Sequence, residues 1–189
     1  MSRWQRFWFE DGGQYAAAVV RIGLAAAVIA TVHKLGISDY VADRARRPLH
    51  LYDPDGILML LGSEPPSPKL LNLLKLVAYA SASMMLVGLA SRTATLVSCI
   101  SSLSLACYQY SFSAGWSHQN NVVFIALIAF LFARSGDVLS IDAWLRRRRG
   151  RRLEVPALGY QWAVKLTTLG VGMMFFNAFI HKMAGAHFT

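Results

Sequence analysis

The chain has 189 residues, 55% of them apolar and 15% charged, and a mean hydropathy of +0.40. That balance excludes a disordered polymer and departs from the ~45–50% apolar and ~25% charged residues of soluble domains, so hydrocarbon has replaced charge. The +9 formal charge lies between apolar runs rather than in a stripe, which points to lipid and topology and away from nucleic acid.

Residues 1–14 mix Trp4, Phe7, Trp8 and Phe9 with Arg3, Arg6, Glu10 and Asp11, the pattern of an interfacial segment. No small-residue cleavage site follows, so no removable signal peptide is expected. Five runs long enough to span a bilayer come next, at about 15–34, 69–90, 93–112, 117–134 and 158–182. Between the first two lies a polar segment, residues 35–68, with Tyr52-Asp53-Pro54-Asp55-Gly56 and Glu64-Pro65-Pro66-Ser67-Pro68; its Ile57–Leu61 stretch is too short to cross. Only Ser91-Arg92 separates the second and third runs, so these helices must form an antiparallel hairpin. Cys99 and Cys107 share one run about 12 Å apart along a helix, too far for a disulfide.

Lys and Arg fix an orientation. With the N-terminus inside, the inner ends hold Arg3, Arg6, Arg92, Arg134, Arg146–Arg149, Arg151 and Arg152, ten cations against six outside (Lys34, Arg44, Arg46, Arg47, Lys69, Lys182). Trp116, Trp144 and Trp162 fall near run ends, as an aromatic belt requires. The expected fold is an all-α integral membrane protein, a five-helix transmembrane bundle with the N-terminus inside and the C-terminus outside. Arg21, Lys75 and Lys165 remain within the runs, each close enough to an end to snorkel.

That orientation puts all five histidines (His33, His50, His118, His181 and His187) on the outer side. Asn177 and His181 share a helix face at i, i+4, with Lys182 turned ~100° away. A lysine at the edge of hydrocarbon sheds its proton more easily, which makes it a base near neutral pH; imidazoles relay protons, and Asn amides orient a carbonyl or hydroxyl without adding charge. These parts suit a lipid-soluble, quinone-like substrate. No H-x-x-x-H or E-x-x-H pair is present, so no metal is expected. The bland reading is that Ser117 and Asn120 cap a helix while His33-Lys34 and His181-Lys182 are snorkelling ends.

Six pieces carry a resemblance: Ala18-Val19-Val20-Arg21, Leu51-Tyr52-Asp53-Pro54-Asp55-Gly56, Met85–Arg92, Trp116-Ser117-His118-Gln119-Asn120-Asn121, Gly136–Asp142 and His181-Lys182-Met183-Ala184-Gly185. In this order the chain resembles the HTTM (horizontally transferred transmembrane) domain family, related to vitamin K-dependent γ-carboxylase, with residues 15–189 as its N-terminal portion. The resemblance implies deprotonation of a reduced quinone, vitamin K-like, at the outer leaflet. It makes Lys182 the base, assisted by His118, with His181, Asn121, Asn177, Trp116 and Arg21 binding or orienting the substrate. It also implies a multi-pass protein of the bacterial inner membrane. The family continues with further helices where this sequence has seven residues left after Lys182, so the resemblance implies a fragment or a short member that needs a membrane partner. The rival expectation is a non-catalytic membrane scaffold or partner subunit.

Overall fold

The computed structural model describes residues 3–9, 13–35, 39–112, 121–150 and 160–185. Within them the chain is helical and contains no strand. The helices are α1 (Arg3–Phe9), α2 (Gln14–Lys34), α3 (Tyr40–Arg46), α4 (Pro68–Val87), α5 (Ser91–Tyr110), α6 (Asn121–Phe132), α7 (Ile141–Arg148) and α8 (Gln161–Gly185), with 3-10 turns at Leu49–Leu51 and Gly56–Leu61. Each of the five apolar runs contributes one helix. Three are long and apolar enough to cross a membrane: Gln14–Lys34, Pro68–Val87 and Gln161–Ile180. The expectation of five spans is therefore met in part, since α6 has 12 described residues and α5 is rich in hydroxyls.

Helix α5 shows how a polar helix sits inside an apolar bundle. It packs against α4, α6 and α2 with Thr95, Ser98, Ser101, Ser102 and Ser104 buried. Most of those hydroxyls bond back to their own helix: Thr95 to the Ser91 carbonyl at 2.7 Å, Ser101 to Val97 at 2.7 Å, Ser102 to Ser98 at 2.6 Å and Ser104 to Ile100 at 2.8 Å. The helix satisfies most of its own hydroxyls and presents small residues to its neighbours. Buried Ala17, Ala18, Ala25, Ala78, Ala82, Ala94 and Ala106 extend this close packing through the core. Cys99 and Cys107 are buried and free, as the helical spacing requires.

Local signals set the helix ends. Ser67 caps α4 by accepting from Leu70 N at 3.3 Å, Pro68 occupies its first turn, and Gly88 closes it in the left-handed conformation. The hairpin turn is thus Gly88-Leu89-Ala90, and Ser91-Arg92, expected to be the linker, form the first turn of α5. A left-handed glycine stops a helix more sharply than an arginine does, which moves the break three residues earlier.

Residues 39–67 form a structured cover over the ends of α4 and α5. Arg47 lies 5.0 Å from the Phe112 ring centroid and 5.7 Å from that of Tyr108, while donating to Asp43 at 2.7 Å and Gln109 at 2.8 Å. Tyr40 and Tyr108 meet edge to face at 5.4 Å. Within the 3-10 turn over Ile57–Leu61, Leu58 is buried and Met59, Leu60 and Leu61 are exposed, so this stretch rests on the bundle without crossing it. The Asp53 and Asp55 amides donate to the Ser111 carbonyl and hydroxyl at 2.9 and 3.1 Å.

Asp39 starts this cover. Its carboxylate accepts from Asn72 Nδ2 at 3.0 Å and from Val41 N at 2.9 Å, and Tyr40 N donates to Asn72 Oδ1 at 3.2 Å. The bond from Asn72, then the one from Val41, and less strongly the nearby Lys75 charge hold the Asp39 pKa below its usual value. A depressed carboxyl pKa contributes stability that is full above the unfolded value, ~3.9, and is lost as pH falls through the folded value. Amide exchange at Tyr40 and Val41 is therefore expected to accelerate on acidification below about pH 4, and Asp39→Asn to remove that pH dependence. Equal acid sensitivity in the variant contradicts the assignment.

Candidate functional site

The antiparallel order gives the bundle two polar ends. At one end gather the N-termini of α2, α5 and α8 with the C-termini of α4 and α6; at the other stand the cover and the C-termini of α2, α5 and α8.

The first end is built around Arg21, which is 0% exposed. Its Nη1 donates to the Ser135 carbonyl and its Nη2 to the Leu139 carbonyl at 2.6 Å. These acceptors belong to the turn between α6 and α7, which Ser140 ends by capping α7 through Ala143 N at 2.9 Å. Gly88 abuts the same turn: a Cβ there would stand 2.3 Å from Ser140 Cβ. Asp142 then locks the hairpin to α7. Its amide donates to the Gly88 carbonyl at 3.1 Å, and its carboxylate accepts from Ala90 N at 2.9 Å, Ser91 N at 3.0 Å and Ser91 Oγ at 3.2 Å. An acidic side chain from α7 thus caps the start of α5, where the backbone N–H groups lack helical acceptors.

Beside this lock Asp137 is 8% exposed. It accepts from Tyr160 Oη at 2.6 Å, pairs with Arg146 Nη2 at 2.9 Å and lies 3.6 Å from Arg134 Nε. Burial, and then the bond to Asp137, push the Tyr160 phenol above its ordinary pKa, which keeps it a donor. A cleft of about 360 Å³ opens here, with Arg92, Arg134, Arg146 and Ser91 in its wall.

Among the expected site residues, Arg21 belongs to this lock. Lys182 and Asn177 are exposed on the last turns of α8, and Asn121 is half-buried at the start of α6, the helix that packs along α8. Antiparallel packing brings Asn121 toward the same end as Asn177 and Lys182. His33 and His50 are exposed at that end too. Trp116, His118 and His187 lie outside the described residues, as does the His181 side chain. Among the described residues no group of three His, Cys, Asp or Glu side chains converges as metal ligands. Of the two described clefts, neither is lined by Lys182, Asn177 or Asn121. Lys165, expected to snorkel, reaches the Phe7 carbonyl and stands 4.5 Å over the Phe7 ring, tying α8 to α1.

Sequence reasoning missed Asp137, Asp142, Tyr160 and Gly88 as a unit. Local signals existed in the left-handed stop after Val87 and the Ser140 cap, but a carboxylate that caps another helix leaves no local trace.

Among the described residues the fold is all-helical, with three helices long and apolar enough to cross a membrane. No family model, no curated protein and no solved structure matches the chain.

Proposed function

We propose that the chain is a multi-pass membrane subunit, oriented N-in and C-out across five spans, whose outer half of α8 is completed by a second membrane element. One observation carries this reading. In α8 the first turns pack inward, with Ala163 buried and Trp162 and Val164 half-buried, whereas Met173, Phe175, Phe176, Phe179, Ile180 and Met183 are all exposed, and polar Asn177 and Lys182 are exposed among them. Lipid accepts the aromatic and aliphatic groups. It does not satisfy an amide within a span, and such groups in membrane helices mark a polar partner or a substrate path. The orientation rests on Arg3, Arg92, Arg134 and Arg146–Arg149 at the Arg21 end, the bias expected of cytoplasmic loops. A bacterial inner membrane is the setting that the resemblance implies.

A second reading draws on the approach of Asn121 to α8. Lys182 would deprotonate a reduced quinone-like lipid while Asn121 and Asn177 orient it, with His118 and His181 assisting. The described groups leave such a ring uncovered on the α8 side. Lys182 stands exposed on α8, so this chemistry too needs a second element to exclude water from the recess.

A photo-crosslinking residue at Phe176 in the native membrane separates the outcomes. The expected result is a protein adduct of discrete mass that Asn177→Leu weakens about tenfold, as loss of a hydrogen bond in hydrocarbon implies. Adducts to lipid alone contradict the subunit reading. Lys182→Ala, at an exposed position, is expected to fold and to retain the adduct; loss of a quinone-dependent activity in that variant selects the second reading.

A further inference from the structure

The cleft at the Arg21 end belongs to neither reading above. Its wall carries five ionised side chains: Arg92, Arg134 and Arg146 against Asp137 and Asp142. Both Asp142 oxygens are committed to the first turn of α5, so the helix end is already capped and the guanidiniums are what remains for a ligand. Asp137 is shared among Tyr160, Arg146 and, at a longer 3.6 Å, Arg134. Arg146 also donates to the Gly136 carbonyl at 2.8 Å, yet its buried Nε has no acceptor among the described residues. Arg92 is exposed on the cleft wall and has no hydrogen-bonding or ionic partner among the described residues. The cleft therefore has a cationic excess, an idle guanidinium and an unsatisfied donor, in a volume of about 360 Å³.

We propose that this cleft binds a phosphate group, held between Arg92 and Arg134 with Arg146 behind it, and that an anionic phospholipid headgroup supplies the phosphate. Three planar guanidiniums from α5, the α6–α7 turn and α7 suit a tetrahedral oxyanion, which offers each fork its own oxygens. The neighbourhood favours a lipid over a free ion. Helix α7 beside the cleft exposes Ile141 and Trp144 and lays Arg148 over the Trp144 ring at 4.3 Å, then continues into Arg149, the composition of a helix at the level of headgroups. Basic pockets between membrane helices on the cytoplasmic side hold such headgroups.

The test uses the full chain purified in a neutral detergent, with thermal unfolding followed as phosphatidylglycerol, phosphatidylcholine or inorganic phosphate is titrated in. A saturable rise in Tm with phosphatidylglycerol and none with phosphatidylcholine is expected. Arg92→Gln raises the half-saturating concentration about tenfold, the loss of one charge-assisted contact, whereas Arg149→Gln, outside the cleft wall, changes it less than about twofold. Arg92 is exposed and unpartnered, so its variant keeps the unliganded Tm. Arg134→Gln gives the same weakening if it folds, and Arg92→Gln carries the test if it does not. Inorganic phosphate that reproduces the response with the same dependence on Arg92 keeps the site and assigns it to the free ion. Equal weakening by Arg92→Gln and Arg149→Gln, or no saturable response to either phosphate source, overturns the site.

Discussion

Arg21→Met is expected to lower the Tm of the detergent-solubilised chain by ~10 °C, with Arg21→Lys falling between the two. The guanidinium is wholly buried and spans two carbonyls, Ser135 and Leu139, in the turn that positions α7. Hydrogen bonds from a charged donor contribute ~1.5–3 kcal/mol each, so losing both removes about 3–6 kcal/mol. At ~2–4 °C per kcal/mol for a chain of this size, that is the stated shift. Methionine fills the volume but donates nothing, and lysine supplies one nitrogen where a fork served two acceptors. An unchanged Tm in Arg21→Met contradicts the lock.

Gly88→Ala is the second large effect. Its φ of 72° lies where only glycine is at ease, and an added Cβ would approach Ser140 Cβ to 2.3 Å and Ser140 Cα to 2.9 Å. Neither Ser140 Cβ nor the backbone Cα moves with a side-chain rotamer, so no rotamer change relieves the contact. Left-handed strain of ~1–2 kcal/mol and overpacking of ~1–3 kcal/mol give a loss of about 2–5 kcal/mol. The hairpin and α7 should part, with faster amide exchange at Asp142, whose N–H donates to the Gly88 carbonyl, and at Ala90 and Ser91, which Asp142 caps. Because Arg21 Nη2 also lies 3.1 Å from that Cβ position, the double variant is expected to lose less than the sum of the two single losses. Full additivity would separate the two contacts into independent features.

The long helices were legible because hydrocarbon demands unbroken apolar runs whose backbone groups bond within the segment. All five runs coincide with a helix, three of them long and apolar enough to cross a membrane. The hairpin breaks at Gly88 and not at Ser91-Arg92 because a left-handed glycine, not a charge, ends the helix. Helix α5 read as one more apolar run, although its serines bond their own carbonyls and set it among other helices rather than alone in lipid. The cover over residues 39–67 was legible only as a polar loop, since its order comes from Arg47 with Asp43 and with Gln109, the latter 62 positions away. The same holds at the Arg21 end, where the Arg21 contacts join residues 114 and 118 positions apart. Periodicity reports faces and ends; it carries no record of which distant carbonyl a guanidinium will find. Lys182 and Asn177 follow from side-chain chemistry and the family resemblance, and they stand exposed on α8, where their environment depends on what lies against that helix.

The most direct measurement of the account concerns its two ends. Single cysteines at Leu51 and Arg148, both exposed, report one end each, while native Cys99 and Cys107 are buried. With a membrane-impermeant maleimide on intact cells, Leu51→Cys is predicted to react at once and Arg148→Cys only after permeabilisation. Labelling of Arg148→Cys in intact cells, with Leu51→Cys protected, contradicts the orientation and moves Lys182 to the cytoplasmic side.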